Sequence, residues 1–117
     1  MPSVIRGSDN FDTAGGNAVK AWVNFNGTGT VAIRASYNVS SITDNGTGDY
    51  TVNFTTALAD ANYSVMSSAE GSGSVGNPPY QRGSYPITST SNIRLTFFTF
   101  NAVSFVDPTY CCAAIFR

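Results

Sequence analysis

The fold is decided by residues 19–36, which read VKAWVNFNGTGTVAIRAS. Apolar residues occupy every second position from Val19 to Phe25, which is the period-two pattern of a strand with one buried face. The Asn26-Gly27 pair that follows is a strong hairpin signal, because both residue types tolerate positive φ. Alternation resumes after the turn. The stretch therefore predicts two antiparallel strands joined as a hairpin.

A second turn of the same composition follows. The tetrapeptide Asn-Gly-Thr-Gly occurs at 26–29 and again at 45–48, and alternating apolar residues run from Tyr50 to Phe54 after the second copy. We interpret the two copies as shared turn chemistry and not as a repeat fold, since repeat folds usually need at least three copies. Residues 19–56 are predicted to form two hairpins of one antiparallel meander.

The second half of the chain also lacks helical periodicity. Residues 56–62 are compatible with one helical turn or with a corner between two sheets. Residues 69–86, rich in Gly, Ser and Pro, are predicted to form a long loop, and long loops are often functional. Further strands are predicted at 63–67, 92–100, 103–106 and 110–116. The expected fold is all-β, a jelly-roll-like antiparallel β-sandwich of about eight strands.

The N-terminal segment differs from the rest. Residues 1–17 are polar and end in a Gly15-Gly16 pair, which is typical of a hinge or linker. We predict an N-terminal arm at 1–17 that is either mobile or docked on a neighbouring subunit, followed by a single domain at 18–117.

Composition argues against several classes of partner. Charged residues make up 11% of the chain and the formal net charge is −1, so nothing favours nucleic acid or an acidic membrane surface. No segment approaches the roughly 20 apolar residues that span a bilayer, and the N-terminus does not resemble a secretion signal. The adjacent Cys111 and Cys112 are poorly placed for a disulfide. We expect synthesis in a reducing cytoplasm, without membrane insertion or a nucleic-acid partner.

Catalytic chemistry is not expected. The chain has no histidine, which removes the commonest general base and most zinc sites. Asp44 and Asp49 flank the second turn, where they could form a carboxylate pair or a calcium loop. Their spacing does not match a known calcium loop, and aspartates are expected beside a turn for backbone reasons. We predict no enzyme activity, no catalytic or metal-binding residues and no cofactor.

Four strings of sequence carry a resemblance to a known family. They are GSDNFDT (7–13), KAWVNFNGTGTVAIRAS (20–36), NVSSITDNGTGDYTVNFTT (38–56) and ANY (61–63). Together they resemble a module common at the C-terminal end of tail-fibre and other structural proteins of tailed phages. The resemblance covers residues 7–66, whereas 67–117 match only in general character. It implies a β-rich, virion-associated part at the exposed end of a fibre, usually trimeric, without naming binding residues.

The aromatic residues divide into core and contact candidates. Those on the apolar faces of predicted strands are expected in the core: Tyr50, Phe54, Tyr63, Phe97 and Phe116. Aromatic faces beside amide or guanidinium groups are typical of sugar sites and interfaces. Candidate receptor or interface contacts are therefore Trp22 on a polar strand face, Tyr80, Gln81, Arg82 and Tyr85 in the long loop, and Phe98 and Phe100. The last two point away from Phe97, which indicates a strand buried on both sides, at a sandwich centre or an oligomer interface.

These features lead to one functional prediction and two alternatives. The prediction is a homotrimeric bacteriophage virion protein, an exposed tail-fibre tip or knob that contacts the host surface. Its partners would be other virion proteins, such as a fibre shaft or major capsid protein, and a host cell-surface glycan. No heptad, collagen-like or β-helix shaft precedes the module, so the chain is either an excised tip or a stand-alone part. The alternatives are a capsid decoration protein (cement or head fibre), with the 1–17 arm as its clamp, and a free carbohydrate-binding module.

Overall fold

The computed structural model describes residues 19–71, 79–84, 89–99 and 104–117, and only the backbone of 79–84. The described residues form strands and connecting turns without a helix. The strands are β1 (Val19–Asn26), β2 (Ala32–Tyr37), β3 (Val39–Gly46), β4 (Asp49–Phe54), β5 (Ser64–Glu70), β6 (Pro79–Ser84), β7 (Asn92–Thr99) and β8 (Tyr110–Phe116). The predicted 1–17 arm lies outside the described residues.

The strands form two antiparallel four-stranded sheets. Sheet A has the order β2-β1-β8-β5 and sheet B has the order β3-β4-β7-β6. Their inner faces pack against each other, which confirms the prediction of an all-β sandwich. Three pairs of consecutive strands, β1–β2, β3–β4 and β6–β7, are direct neighbours. A jelly roll instead alternates most consecutive strands between sheets, so the predicted jelly-roll-like order is wrong.

Aromatic rings occupy the centre of the core. The ring of Tyr50 on β4 lies 5.2 Å from that of Phe25 on β1 and 6.1 Å from that of Phe97 on β7. Phe54 and Tyr63 are also buried and meet edge to face at 6.3 Å. Such pairs add about 0.5–1.5 kcal/mol beyond the area they bury. The predicted core positions of Tyr50, Phe54, Tyr63 and Phe97 are confirmed.

Phe116 is a correction to the predicted core. Its side chain is 39% exposed, whereas Cys111, Ala113 and Ile115 of the same strand are buried. Successive residues of a strand point to opposite faces, so burying Ile115 directs Phe116 outward. The prediction was wrong because it weighed the size of the side chain above its place in the alternation.

The predicted meander is also wrong, because the first two hairpins lie in different sheets. Between β2 and β3, Asn38 has a φ of 55°, a left-handed conformation that asparagine tolerates better than most residues. Its Nδ2 donates to the carbonyl oxygens of Lys20 (3.1 Å) and Thr56 (3.0 Å), and the Thr56 amide donates to its Oδ1 (2.8 Å). Asn38 therefore redirects the chain and links β1 of sheet A to the residues following β4 of sheet B.

The predicted 69–86 loop contains strand at both ends. β5 continues through Glu70, and β6 pairs with β7 as the edge of sheet B. Pro79 begins this edge strand, where a missing amide is tolerated, and the register shifts between Gln81 and Gly83 as in a β-bulge. The loop prediction failed because Pro and Gly, which disfavour interior strands, are compatible with an edge.

Two shorter segments resolve open points of the prediction. Residues 56–62 carry the chain from β4 in sheet B to β5 in sheet A without a helical turn, which confirms the corner alternative. The strand predicted at 103–106 is reduced, in its described part, to one isolated bridge between Phe98 and Phe105.

The two Asn-Gly-Thr-Gly turns meet at one end of the sandwich. The Tyr50 hydroxyl lies 2.7 Å from Asp107 Oδ1 and 2.9 Å from the Gly27 carbonyl oxygen, and the Gly48 amide donates to the same Oδ1 at 2.7 Å. Burial, with the nearby Asp107 carboxylate, raises the Tyr50 pKa far above its ordinary value, so the hydroxyl keeps its proton. This cluster ties the first turn, through Gly27, to the second, through Gly48.

Candidate functional site

On β3, on β4 and at Arg94 of β7, the outer face of sheet B is polar, and its side chains bond to one another. Asn53 Nδ2 donates to Ser41 Oγ (3.1 Å) and to Thr43 Oγ1 (3.0 Å). Arg94 donates from Nε and Nη2 to the two Asp49 carboxylate oxygens at 2.8 and 2.5 Å. Polar groups paired in this way, with their remaining sites open to water, suit a face that stays in solvent.

The outer face of sheet A is different, because a row of mainly apolar side chains crosses all four strands. Trp22 on β1 pairs with Tyr37 on β2 and with Ala114 on β8, and Ala114 pairs with Met66 on β5. Directly paired residues of antiparallel strands point to the same face. Trp22, Tyr37 and Met66 are 39, 52 and 67% exposed. We call Tyr37, Trp22, Ala114 and Met66 the apolar row.

A groove of about 470 Å³ lies at the centre of this face. The small side chains of Cys112 and Ala114 on β8 form its floor. Ala114 lies between large neighbours on both sides, whereas Cys112 lies between Asn24 and Ser68. Trp22 on β1 and Met66 on β5 form its walls. The polar groups of the lining include Asn24 and two serines of β5. The groove is therefore mostly apolar, which is usual for binding surfaces.

The two ends of the face carry aromatic and charged groups. At one end, the Arg34 guanidinium lies 4.1 Å from the centre of the Tyr110 ring, a cation–π distance, and Nη2 donates to the Thr109 carbonyl oxygen at 2.7 Å. At the other end, Phe116 is followed by Arg117, which is ion-paired with the carboxylate of the 56–62 corner. Charges thus border the apolar centre and do not enter it.

The two cysteines are free and differ in environment. Cys111 faces the core, and burial raises the pKa of its thiol to about 12. Almost no thiolate forms at neutral pH with such a pKa, so Cys111 acts as a small apolar core residue. Cys112 faces outward and is half-buried in the groove floor.

The four described aspartates, Asp44, Asp49, Asp60 and Asp107, have structural partners. A hydrogen bond from Arg94 lowers the pKa of Asp49, and one from Arg117 lowers the pKa of Asp60 to about 2. Carboxyl groups held ionised in this way are poor general acids. Asp44 accepts a hydrogen bond from a backbone amide of its own turn at 3.0 Å, as turn chemistry predicts. Among the described residues, no group of three or more Cys, Asp or Glu could hold a metal ion.

Among the predicted contact residues, Trp22 lies in the groove. It is exposed on the strand face that the sequence pattern marks as polar. Phe98 lies on sheet B and is half-buried, with its ring centre 6.1 Å from that of Phe105. The second side of β7 is thus covered, at this position, by a later segment of the same chain.

The other predicted contacts do not join this site within the described structure. Tyr80, Gln81 and Arg82 belong to the edge strand β6 and not to a loop, and their side chains lie outside what is described. Tyr85 and Phe100 lie outside the described residues.

Sequence reasoning missed three large residues of the face: Tyr37, Met66 and Tyr110. Met66 and Tyr110 are opposite in parity to the inward residues of their strands, so alternation alone marks them as exposed. Tyr37 shares the parity of Ile33, which packs against the core, and it points outward because the register of β2 against β1 shifts between the two residues. What alternation lacks is the cross-strand register that places Tyr37 and Met66 in one row with Trp22.

Together, these features define an all-β, two-sheet structure whose candidate site is the groove on the outer face of sheet A. The described part of the chain holds no helix of the length and apolarity that crossing a membrane requires. Comparisons with protein-family models, with curated proteins and with solved structures found no match.

Proposed function

We propose that this chain is a structural module of a tailed-bacteriophage virion, displayed at the exposed tip of a tail fibre, with no catalytic role. The observation that carries the proposal is the difference between the two outer faces. On the outer face of sheet B, the polar side chains described on β3, β4 and β7 bond to one another, whereas the outer face of sheet A presents the apolar row and the groove. This pattern suits a module that is held to virion neighbours by one face and exposed to solvent by the other.

The resemblance to phage fibre modules supplies the biological setting. Its two longest strings, 20–36 and 38–56, run through β1, β2, β3 and β4, which contribute one hairpin to each sheet. In this proposal the chain is made in the host cytoplasm, assembles as a homotrimer and joins a fibre shaft or another virion protein. Many copies on one particle would give avidity to a weak contact with a host cell-surface glycan.

Receptor contact is proposed for the edge of sheet B, away from the face that packs on neighbours. β6 carries Tyr80, Gln81 and Arg82, residue types that combine aromatic faces with amide and guanidinium donors. We propose that this strand and the adjoining Tyr85 meet the host surface.

Immunogold labelling of intact phage particles, with antibody raised against the purified chain, tests the proposal. Gold at the distal end of the tail is expected, and antibody saturated with free chain is the control. Gold distributed over the head would replace the fibre tip with the capsid decoration alternative. Particles that bear the gene but stay unlabelled, although the lysate contains the chain, would overturn a virion role and leave the free carbohydrate-binding module.

A further inference from the structure

We infer that the outer face of sheet A is the surface through which copies of this chain associate, with the apolar row and the groove buried against another copy. The inference deepens the proposed function and rests on it for the expected number of copies, three. The choice of face rests on the structure alone.

The first argument is the amount of apolar surface that the face exposes. Five large side chains contribute, with 39–67% of each exposed: Trp22, Tyr37, Met66, Tyr110 and Phe116. With about 200 Å² for each fully exposed side chain, the face presents about 500 Å² of apolar surface. A standard interface buries about 800 Å² per partner, of which about 65% is apolar in homo-oligomers, or about 500 Å². The face thus matches one side of a homo-oligomer interface in apolar area.

The second argument is the distribution of charge. Protein interfaces have an apolar centre depleted of charged residues and a polar rim. On this face Arg34 and Glu70 lie at the end marked by Tyr110, and Lys20 and Arg117 lie toward the end marked by Phe116. The groove lining between them carries no charged side chain.

The third argument is the shape and chemistry of the centre. Ala114 of the floor lies between the projecting side chains of Trp22 and Met66, so around a threefold axis the projections of one copy can enter the recesses of the next. Met and Trp are both enriched at protein interfaces, and Met adapts to the shape of its partner. A sugar would instead need several converging polar groups. Asn24 contributes a side-chain amide to the groove lining, but its Oδ1 already accepts a hydrogen bond from Arg34 at 3.2 Å.

Sedimentation of the full 117-residue chain with matched variants tests the inference. Met66→Lys places a charge on an exposed position of an edge strand of sheet A, and Thr43→Lys does the same on an edge strand of sheet B. We expect the wild-type chain to sediment as an oligomer at micromolar concentration. Met66→Lys should weaken association about tenfold or more, because a lysine in an apolar interface loses hydration without gaining a partner. Thr43→Lys should leave association unchanged.

Tryptophan fluorescence provides an independent readout, because the chain has a single Trp, which lies in the groove. Dilution through the dissociation constant should shift the emission of the wild type and of Thr43→Lys to longer wavelength. Met66→Lys should emit at the longer wavelength throughout, with an unchanged far-UV circular dichroism spectrum as proof of folding.

Two results would overturn the inference. One is a wild-type chain that stays monomeric at about 100 μM, a concentration at which even weak specific interfaces form. The other is an oligomer whose dissociation constant is the same in Met66→Lys as in Thr43→Lys, because another surface would then hold the copies together. Neither result depends on the gold label, so a failed virion role leaves the association measurable, and a monomeric chain can still label a fibre tip.

Discussion

The hydroxyl of Tyr50 offers a sharp test of how the two turns are held together. Replacing Tyr50 with Phe removes one atom and keeps the ring in its place between Phe25 and Phe97. The hydroxyl has a single proton, which it gives to the Asp107 carboxylate at 2.7 Å, the charge-assisted and shorter of its two contacts. In Tyr50→Phe the carboxylate keeps its bond from the Gly48 amide and loses the one from the ring.

The expected loss of stability follows from that single bond. A hydrogen bond to a charged group contributes a net ~1.5–3 kcal/mol, so the free energy of unfolding should fall by about 2 kcal/mol. With an unfolding entropy of ~2.1 cal/mol/K per residue, Tm should fall by about 8 °C. Tyr37→Phe is the matched control: at a chain concentration low enough for the monomer, Tyr37 is exposed, so the free energy of unfolding should change by less than about 0.5 kcal/mol.

Urea denaturation monitored by circular dichroism, at constant m-value, measures both changes. A double-mutant cycle of Tyr50→Phe with Asp107→Ala should return a coupling energy of about 1–2 kcal/mol, because the two side chains share one hydrogen bond. The reasoning fails if Tyr50→Phe is no less stable than Tyr37→Phe, or if the two cluster substitutions are additive.

Three further predictions concern a glycine, a carboxylate and the thiols. Gly48 has a φ of 66°, and a Cβ there would collide with the Phe97 and Val106 carbonyl oxygens. Gly29 has a φ of 56° with open space around it. By urea denaturation, alanine at Gly29 should therefore destabilise by about 1–2 kcal/mol and alanine at Gly48 by clearly more, and equal losses would contradict the packing. Because the folded pKa of Asp49 is lowered, its ion pair stabilises above the unfolded pKa of about 4 and is lost as the pH falls through the lowered value. Asp49→Asn should accordingly flatten the acid limb of stability against pH, measured from pH 7 to 2. With a maleimide at pH 7, and with the chain diluted until it is monomeric, one thiol should react in the folded chain and both in urea, the protected one facing the core.

Much of the fold could be predicted from the sequence because a strand with one buried face imposes a pattern on neighbouring residues. Alternation over a few residues located β7 and β8 closely, and the Asn-Gly-Thr-Gly copies marked both N-terminal hairpins. The same alternation assigned Tyr50 and Phe97 to the core, where burial of one face imposes the period. Edge strand β6 escaped prediction because an edge tolerates the Pro and Gly that a central strand excludes.

The candidate site was predictable in part. Trp22 could be identified as a large aromatic residue on a polar strand face, because that face is recognised from the residues next to it in the sequence. Its relation to Tyr37 and Met66 was not visible, because these residues come from different parts of the chain and meet only through pairing with β1 and β8.

The sequence by itself determined the strand pattern, the hairpins and most of the buried aromatic residues, since these follow from local alternation and turn chemistry. The tertiary structure alone decided how the hairpins divide between sheets, which depends on the left-handed Asn38 and its bonds across the sandwich. It also decided that outward residues of four strands form one apolar face, because register between distant segments is set when the sheets pair and pack.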